Sequence, residues 1–116
     1  MLKPTILALA LVACSTSTRA TSIAYTVQGL SAAGATLNAY GPPHELDLVH
    51  QSKSPAEAEQ KVAYWKATRT KLELALKLCF HALAVAKSDD ALTAAMQQVA
   101  AFYADLTDAG VIGGGQ

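Results

Sequence analysis

Few groups in this chain could support chemistry: three histidines, two cysteines and the carboxylates near them. The densest cluster is His44-Glu45-Leu46-Asp47-Leu48-Val49-His50, two imidazoles and two carboxylates within one short segment. A helical zinc site needs two histidines four residues apart on one face, with a glutamate beside the first to act as base. Here the histidines are six residues apart, and at ~100° per residue they fall on different faces of a helix. The segment reads as a polar loop with a short amphipathic turn; a small-ligand or metal carrier, or a minor enzyme, using the His44 to His50 loop is the alternative. His81, set among Phe80, Ala82 and Leu83, reads as a packing or surface histidine. The sequence contains no Gly-x-Ser-x-Gly elbow, no phosphate-cradling glycine loop and no cysteine-pair motif, and Gly113-Gly114-Gly115 precedes no helix. No catalytic, cofactor-binding or metal-binding residue is therefore assigned, no cofactor is implied, and the chain is not expected to be an enzyme.

The amino terminus has a different character. Met-Leu-Lys-Pro supplies one early positive charge, and an uncharged apolar run then continues to Ala13, the layout of an export signal. Residues 6–13 are far short of the ~20 needed to span hydrocarbon, and Ser15-Thr16-Ser17-Thr18-Arg19 is too polar to extend them. The run closes on Leu11-Val12-Ala13-Cys14, which resembles the lipobox of bacterial lipoproteins: an aliphatic residue, two small or modest ones, then cysteine. The resemblance covers about the first 15 residues. It implies that residues 1–13 are a signal peptide cut before Cys14, and that the Cys14 thiol carries a diacylglyceryl group. Acylation of the new amino group, with chains such as palmitate, often follows. Two or three acyl chains, at ~0.8 kcal/mol per buried methylene, hold a protein stably on a bilayer. Ser15 after the cysteine, rather than Asp, implies sorting to the outer membrane if the host is Gram-negative. The alternatives are a generic secretory leader cut at a site such as Ala8-Leu9-Ala10, or an uncleaved amphiphilic helix. With Cys14 lipidated, Cys79 is the one remaining thiol; its neighbours Leu78 and Phe80 suggest a small buried apolar side chain, with an intermolecular bridge or a reactive thiol as the alternative.

Removal of 13 residues would leave 103 of the 116, enough for one domain with one core. Nine basic and nine acidic residues cancel, so no global field favours nucleic acid. Residues 14–21 have a tether's composition. Over residues 23–40, Ile23, Val27, Leu30, Gly34 and Leu37 form one helical stripe, which Gly41-Pro42-Pro43 is expected to stop. Ile23, Tyr25 and Val27 also alternate, so a short strand is the other reading of that segment. Ser54-Pro55-Ala56-Glu57 is a helix start with a capping box. Ala58, Val62, Trp65, Leu72, Leu76, Cys79, Leu83 and Ala86 then keep a four-three rhythm to about Lys87. Ser88-Asp89-Asp90 is a turn and an acidic cap for a third helix carrying Leu92, Met96, Val99, Phe102 or Tyr103, and Leu106. Residues 111–116 read as a loose tail.

The expected fold is therefore all-α: an antiparallel helical hairpin or three-helix bundle with a long central helix, occupying residues 22–110. The short turn at residues 88–90 puts Leu76 near Ala101 and Leu83 near Ala94. It also puts Arg69 opposite Asp105 and Asp108, with a salt bridge or a snorkelling arginine as the two outcomes. Val62, Tyr64 and Trp65 lie beyond the reach of the third helix. The first helix, a partner protein or a second copy must cover them. The basic residues Lys61, Lys66, Arg69, Lys71, Lys77 and Lys87 are mixed with acids and read as a solvated face rather than a docking strip. The functional expectation is a lipid-anchored interaction or structural module of the bacterial cell envelope, with a protein partner or homo-oligomer and no nucleic acid. In size, leader and helicity alone it is similar to small exclusion or envelope-associated lipoproteins of bacteria and of their phages or plasmids. No functional residue carries over from them.

Overall fold

The computed structural model describes residues 15–113. The signal peptide expected over residues 1–13, the lipidation residue Cys14, and residues 114–116 of the tail lie outside the described residues. The chain is all-α, with three helices: α1, Ser15–Gln51; α2, Pro55–Ala84; and α3, Asp89–Asp108. No strand occurs among the described residues, so Ile23 and Val27 pack on the core with helical spacing while Tyr25 faces solvent. None of these helices is long and apolar enough to cross a membrane.

The first helix differs most from expectation. It begins at Ser15, within the segment read as a tether, and it runs through Gly41-Pro42-Pro43 to Gln51. The segment from His44 to His50 is therefore helical, not a loop. A glycine that ends a helix adopts the left-handed conformation, and Gly41 does not: the positive-φ glycines among the described residues are Gly110 and Gly113. Gly41 serves close approach instead. It is buried, and a Cβ there would lie 3.1 Å from the Arg69 guanidinium. The two prolines remove the amides that would bond to the carbonyls of Asn38 and Ala39. Contacts on both sides carry the helix across this gap: Tyr40 before it and His44 and Leu48 after it all pack on α2. A proline inside a helix is ~3 kcal/mol less favourable than alanine, and the packing of Tyr40, His44 and Leu48 on α2 opposes that cost.

The other helix ends are set locally. The Ser54 hydroxyl accepts from the Glu57 amide at 3.1 Å, Pro55 occupies the first turn, and the Glu57 carboxylate reaches the Lys53 amide, one residue before the usual capping-box partner. Ser88 accepts from the Ala91 amide at 3.1 Å, with Asp89 and Asp90 at the positive end of the α3 dipole. At the far end Gly110 takes φ +81°, the Val111 amide donates to the Leu106 carbonyl and the Gly110 amide to Thr107. This is a Schellman motif, and its apolar contact is Val111, which joins the core. The tail expected to be loose is therefore packed at Val111.

Two short connections make α1 antiparallel to α2 and α2 antiparallel to α3, so α1 and α3 run parallel. Cys79 Sγ lies 3.6 Å from the Gln98 carbonyl, the register that counting back from the turn predicts. Arg19 with Asp89 and Thr26 with Met96 share one offset of 70 residues between α1 and α3. The core is Leu30, Leu37, Trp65, Leu72, Cys79, Leu83, Val99, Phe102 and Leu106 with small residues between them. On α3, Ala95 takes the buried place expected for Met96. The molecule is elongated, 67 × 30 × 17 Å. α3, ~30 Å long, ends along α2 in a cleft that Asp105, Asp108 and Ala109 share with Tyr64, Thr68, Lys71 and Leu72, and Gly110 just past it closes on the Tyr40 hydroxyl. Beyond it α1 and α2 continue as a two-helix arm.

Candidate functional site

The arm holds the chain's single tryptophan. Trp65 is on the buried stripe of α2 and only 4% exposed, although α3 does not reach it. Tyr40 and His44 of α1 cover it, the first of the three covers that the length mismatch left open, and Gly110 just past α3 closes on the Tyr40 hydroxyl. The Tyr40 ring stacks on His44 at 4.7 Å, and both stand edge-on to Trp65, at 5.4 and 4.8 Å. The Tyr40 hydroxyl and His44 Nδ1 are 3.1 Å apart, which fixes the imidazole in the stack. Burial, with the Asp47 carboxylate adding to it, raises the Tyr40 pKa above the ordinary phenol value. Trp65 Nε1 is buried and finds no hydrogen-bond partner. Beside this stack an open groove of about 440 Å³ is lined by His44, Leu48, Gln60, Lys61, Tyr64 and Trp65. It is mostly apolar, with one amine at its edge.

Arg69 departs from expectation. Its guanidinium lies 3.9 Å from Glu45 of α1 and 3.6 Å from Glu73, one turn along α2. Asp105 and Asp108 of α3 instead share a cleft with Tyr64, Thr68, Lys71 and Leu72. The cause is the angular position of Arg69, ~100° round the helix from Thr68. It therefore faces α1, which as an unbroken helix presents Glu45. These pairs are partly exposed and long, so each is worth little. Arg69→Met is expected to lower unfolding free energy by less than ~1 kcal/mol in denaturant titration; a loss of several would mean that the pairs hold the arm closed.

The other candidate groups do not converge. His50 is exposed on a different face of α1 from His44, and His81 is exposed on α2. Among the described residues no three His, Cys, Asp or Glu side chains gather where a metal ion could be held. Cys79 is fully buried and free, and burial raises its thiol pKa. The thiolate is the reactive form, so a maleimide is expected to leave Cys79 untouched in the native protein and to label it once the chain is denatured. Labelling at equal rates in both states would show that this part of the core opens readily.

Sequence reasoning placed Trp65 on the core stripe and asked what covers it, but it missed Tyr40 and the His44 stack because Gly41-Pro42-Pro43 was read as a stop. The signal that could have found them lies beyond that tripeptide: Leu37, Gly41, His44 and Leu48 keep the four-three rhythm straight through the prolines. No protein-family model matches the chain, and no curated protein and no solved structure matches it either.

Proposed function

We propose that this chain is a lipoprotein precursor, cut before Cys14 and held to a membrane of the bacterial envelope by acyl chains on that cysteine, where its helical domain is an interaction or structural module. The observation that carries the reading is Leu11-Val12-Ala13-Cys14 at the abrupt end of a short apolar run that opens on a single lysine. The placement of the helices fits it. Ser15, the first residue of α1, directly follows Cys14, while the Trp65 groove lies beside His44, ~45 Å farther along that helix at 1.5 Å per residue. An anchor at one end of α1 would thus display the arm away from the bilayer. Binding of a protein partner, rather than catalysis, suits a body whose clefts are open and whose histidines are dispersed.

The test is intact mass and membrane partitioning of the chain expressed with its own leader in a bacterial host, beside Cys14→Ala. The expected product has the mass of residues 14–116 plus acyl chains and sediments with membranes, and both properties vanish in the variant. A soluble or unmodified full-length product would sink the proposal.

A further inference from the structure

The early end of α3 leaves a groove as well as an arm. α3 stops at Asp108 and the chain turns into the core at Val111, so no third helix continues beside the last turns of α1 and the first of α2. Tyr64 lines both the cleft at the end of α3 and the groove beside Trp65, which places the groove next along the same side of the molecule. It takes little more than one turn from each helix: His44 and Leu48 from α1, and Gln60 to Trp65 from α2. Those stretches measure ~6 and ~7.5 Å. A docked helix is held by anchors at i, i+3, i+4 and i+7, a stretch of ~10 Å or more. The groove, at about 440 Å³, instead has the size of a small-molecule site, ~300–1,000 Å³.

Its polar atoms favour an acceptor. The Lys61 ammonium donates only, and it forms no ion pair among the described residues. Trp65, a wall residue, also donates only, and its Nε1 is the one buried side-chain polar atom among the described residues without a partner. His44 Nδ1 is held by the Tyr40 hydroxyl, which leaves Nε2 for an occupant. Gln60 and Tyr64 can donate or accept. No carboxylate lines the groove, and the acids around it are placed elsewhere. Glu57, one turn before Lys61, reaches the Lys53 amide; Glu45 lies beside Arg69; Asp47 is exposed and bears on Tyr40; Asp105 and Asp108 share the neighbouring cleft with Lys71. One unpaired ammonium matches one negative charge. A doubly charged phosphate would have a single cation to meet it, and Leu48, Tyr64 and Trp65 would give it apolar walls.

We propose that the groove beside Trp65 binds a small amphipathic carboxylate, its apolar body against Leu48, Tyr64 and Trp65 and its charge on Lys61. The site goes beyond the interaction-module reading and does not rest on it, since no part of it involves Cys14.

The chain's only indole stands in the wall, so its fluorescence reports occupancy. Octanoate is titrated onto the full chain and onto Cys14→Ala, which carries no acyl chain to compete. Three comparators take the ligand apart: octanol has the body without the charge, octylamine reverses the charge, and acetate has the charge without the body. Octanoate should shift the emission saturably and bind at least about tenfold more tightly than each of them, the size of one charge-assisted contact. Lys61→Met, which keeps an apolar stem in the groove, should weaken octanoate about tenfold and leave octanol unchanged. Lys66→Met, exposed on the same helix outside the groove, should change neither. Tyr64→Ser, at a residue 75% exposed, alters no buried side chain and should weaken octanoate and octanol alike. Equal affinity for octanoate and octanol, full octanoate affinity in Lys61→Met, or no saturable binding would each overturn the proposal. So would a dimer in sedimentation that Tyr64→Ser dissolves, because a second copy would then be the occupant. Membrane partitioning, which tests the anchor, is read separately, and either result there leaves the octanoate outcome intact.

Discussion

Trp65→Ala is expected to lower the free energy of unfolding by ~3–5 kcal/mol, the range for truncating a buried tryptophan. Small domains are stable by only ~5–15 kcal/mol, so the variant should unfold at much lower denaturant concentration, read by circular dichroism because it removes the chain's only indole. The effect is large because Trp65 is buried and is the surface on which Tyr40 and His44 pack, with Leu48 beside it. Trp65→Phe separates two contributions. Phenylalanine keeps most of the aromatic contact and removes an indole N–H that is buried without an acceptor, and an unmet donor costs ~1–3 kcal/mol. That relief should offset most of the lost area and leave Trp65→Phe within ~1 kcal/mol of the parent chain. If Trp65→Ala cost less than ~1 kcal/mol, the arm would not be a packed unit.

The same residue shows how much of this fold was legible in the sequence. Spacing alone placed Trp65, Leu72, Cys79 and Leu83 on one buried stripe, and the two serine caps fixed where α2 and α3 begin, because a cap is a contact between near neighbours. The α2–α3 register was also legible, since a short turn leaves one antiparallel alignment. What could not be read was the behaviour of α1 at its glycine and prolines. Local propensity says stop, and the opposing contribution comes from Trp65, Arg69 and Leu76, residues distant in sequence whose burial beside α1 no local pattern reports. Arg69 followed from the same error: with α1 ended at Tyr40, Glu45 was not available and the α3 carboxylates were the nearest partners.

Replacing Pro42 and Pro43 together by alanine is expected to raise the free energy of unfolding by roughly 2–4 kcal/mol and to increase helical circular dichroism slightly. A proline inside a helix is ~3 kcal/mol less favourable than alanine, because it lacks the amide its turn needs and its ring crowds the carbonyl four residues back. Both prolines are solvent-exposed, so no packed surface is lost with them. One effect reduces the gain below the sum of two such penalties: alanine frees the unfolded chain by ~0.4–1 kcal/mol per site. The sign still discriminates. If residues 41–43 formed a loop ending a shorter helix, alanine would restore no hydrogen bond and would loosen the unfolded state, so stability would fall. A rise would mean that Tyr40 and His44 stack across a continuous helix, and that the strain is held in place by the burial of Trp65. The two effects can be joined in one measurement: in a Trp65→Ala background the proline replacement should recover a substantial part of the lost stability, because α1 would no longer depend on tertiary contacts to cross the gap.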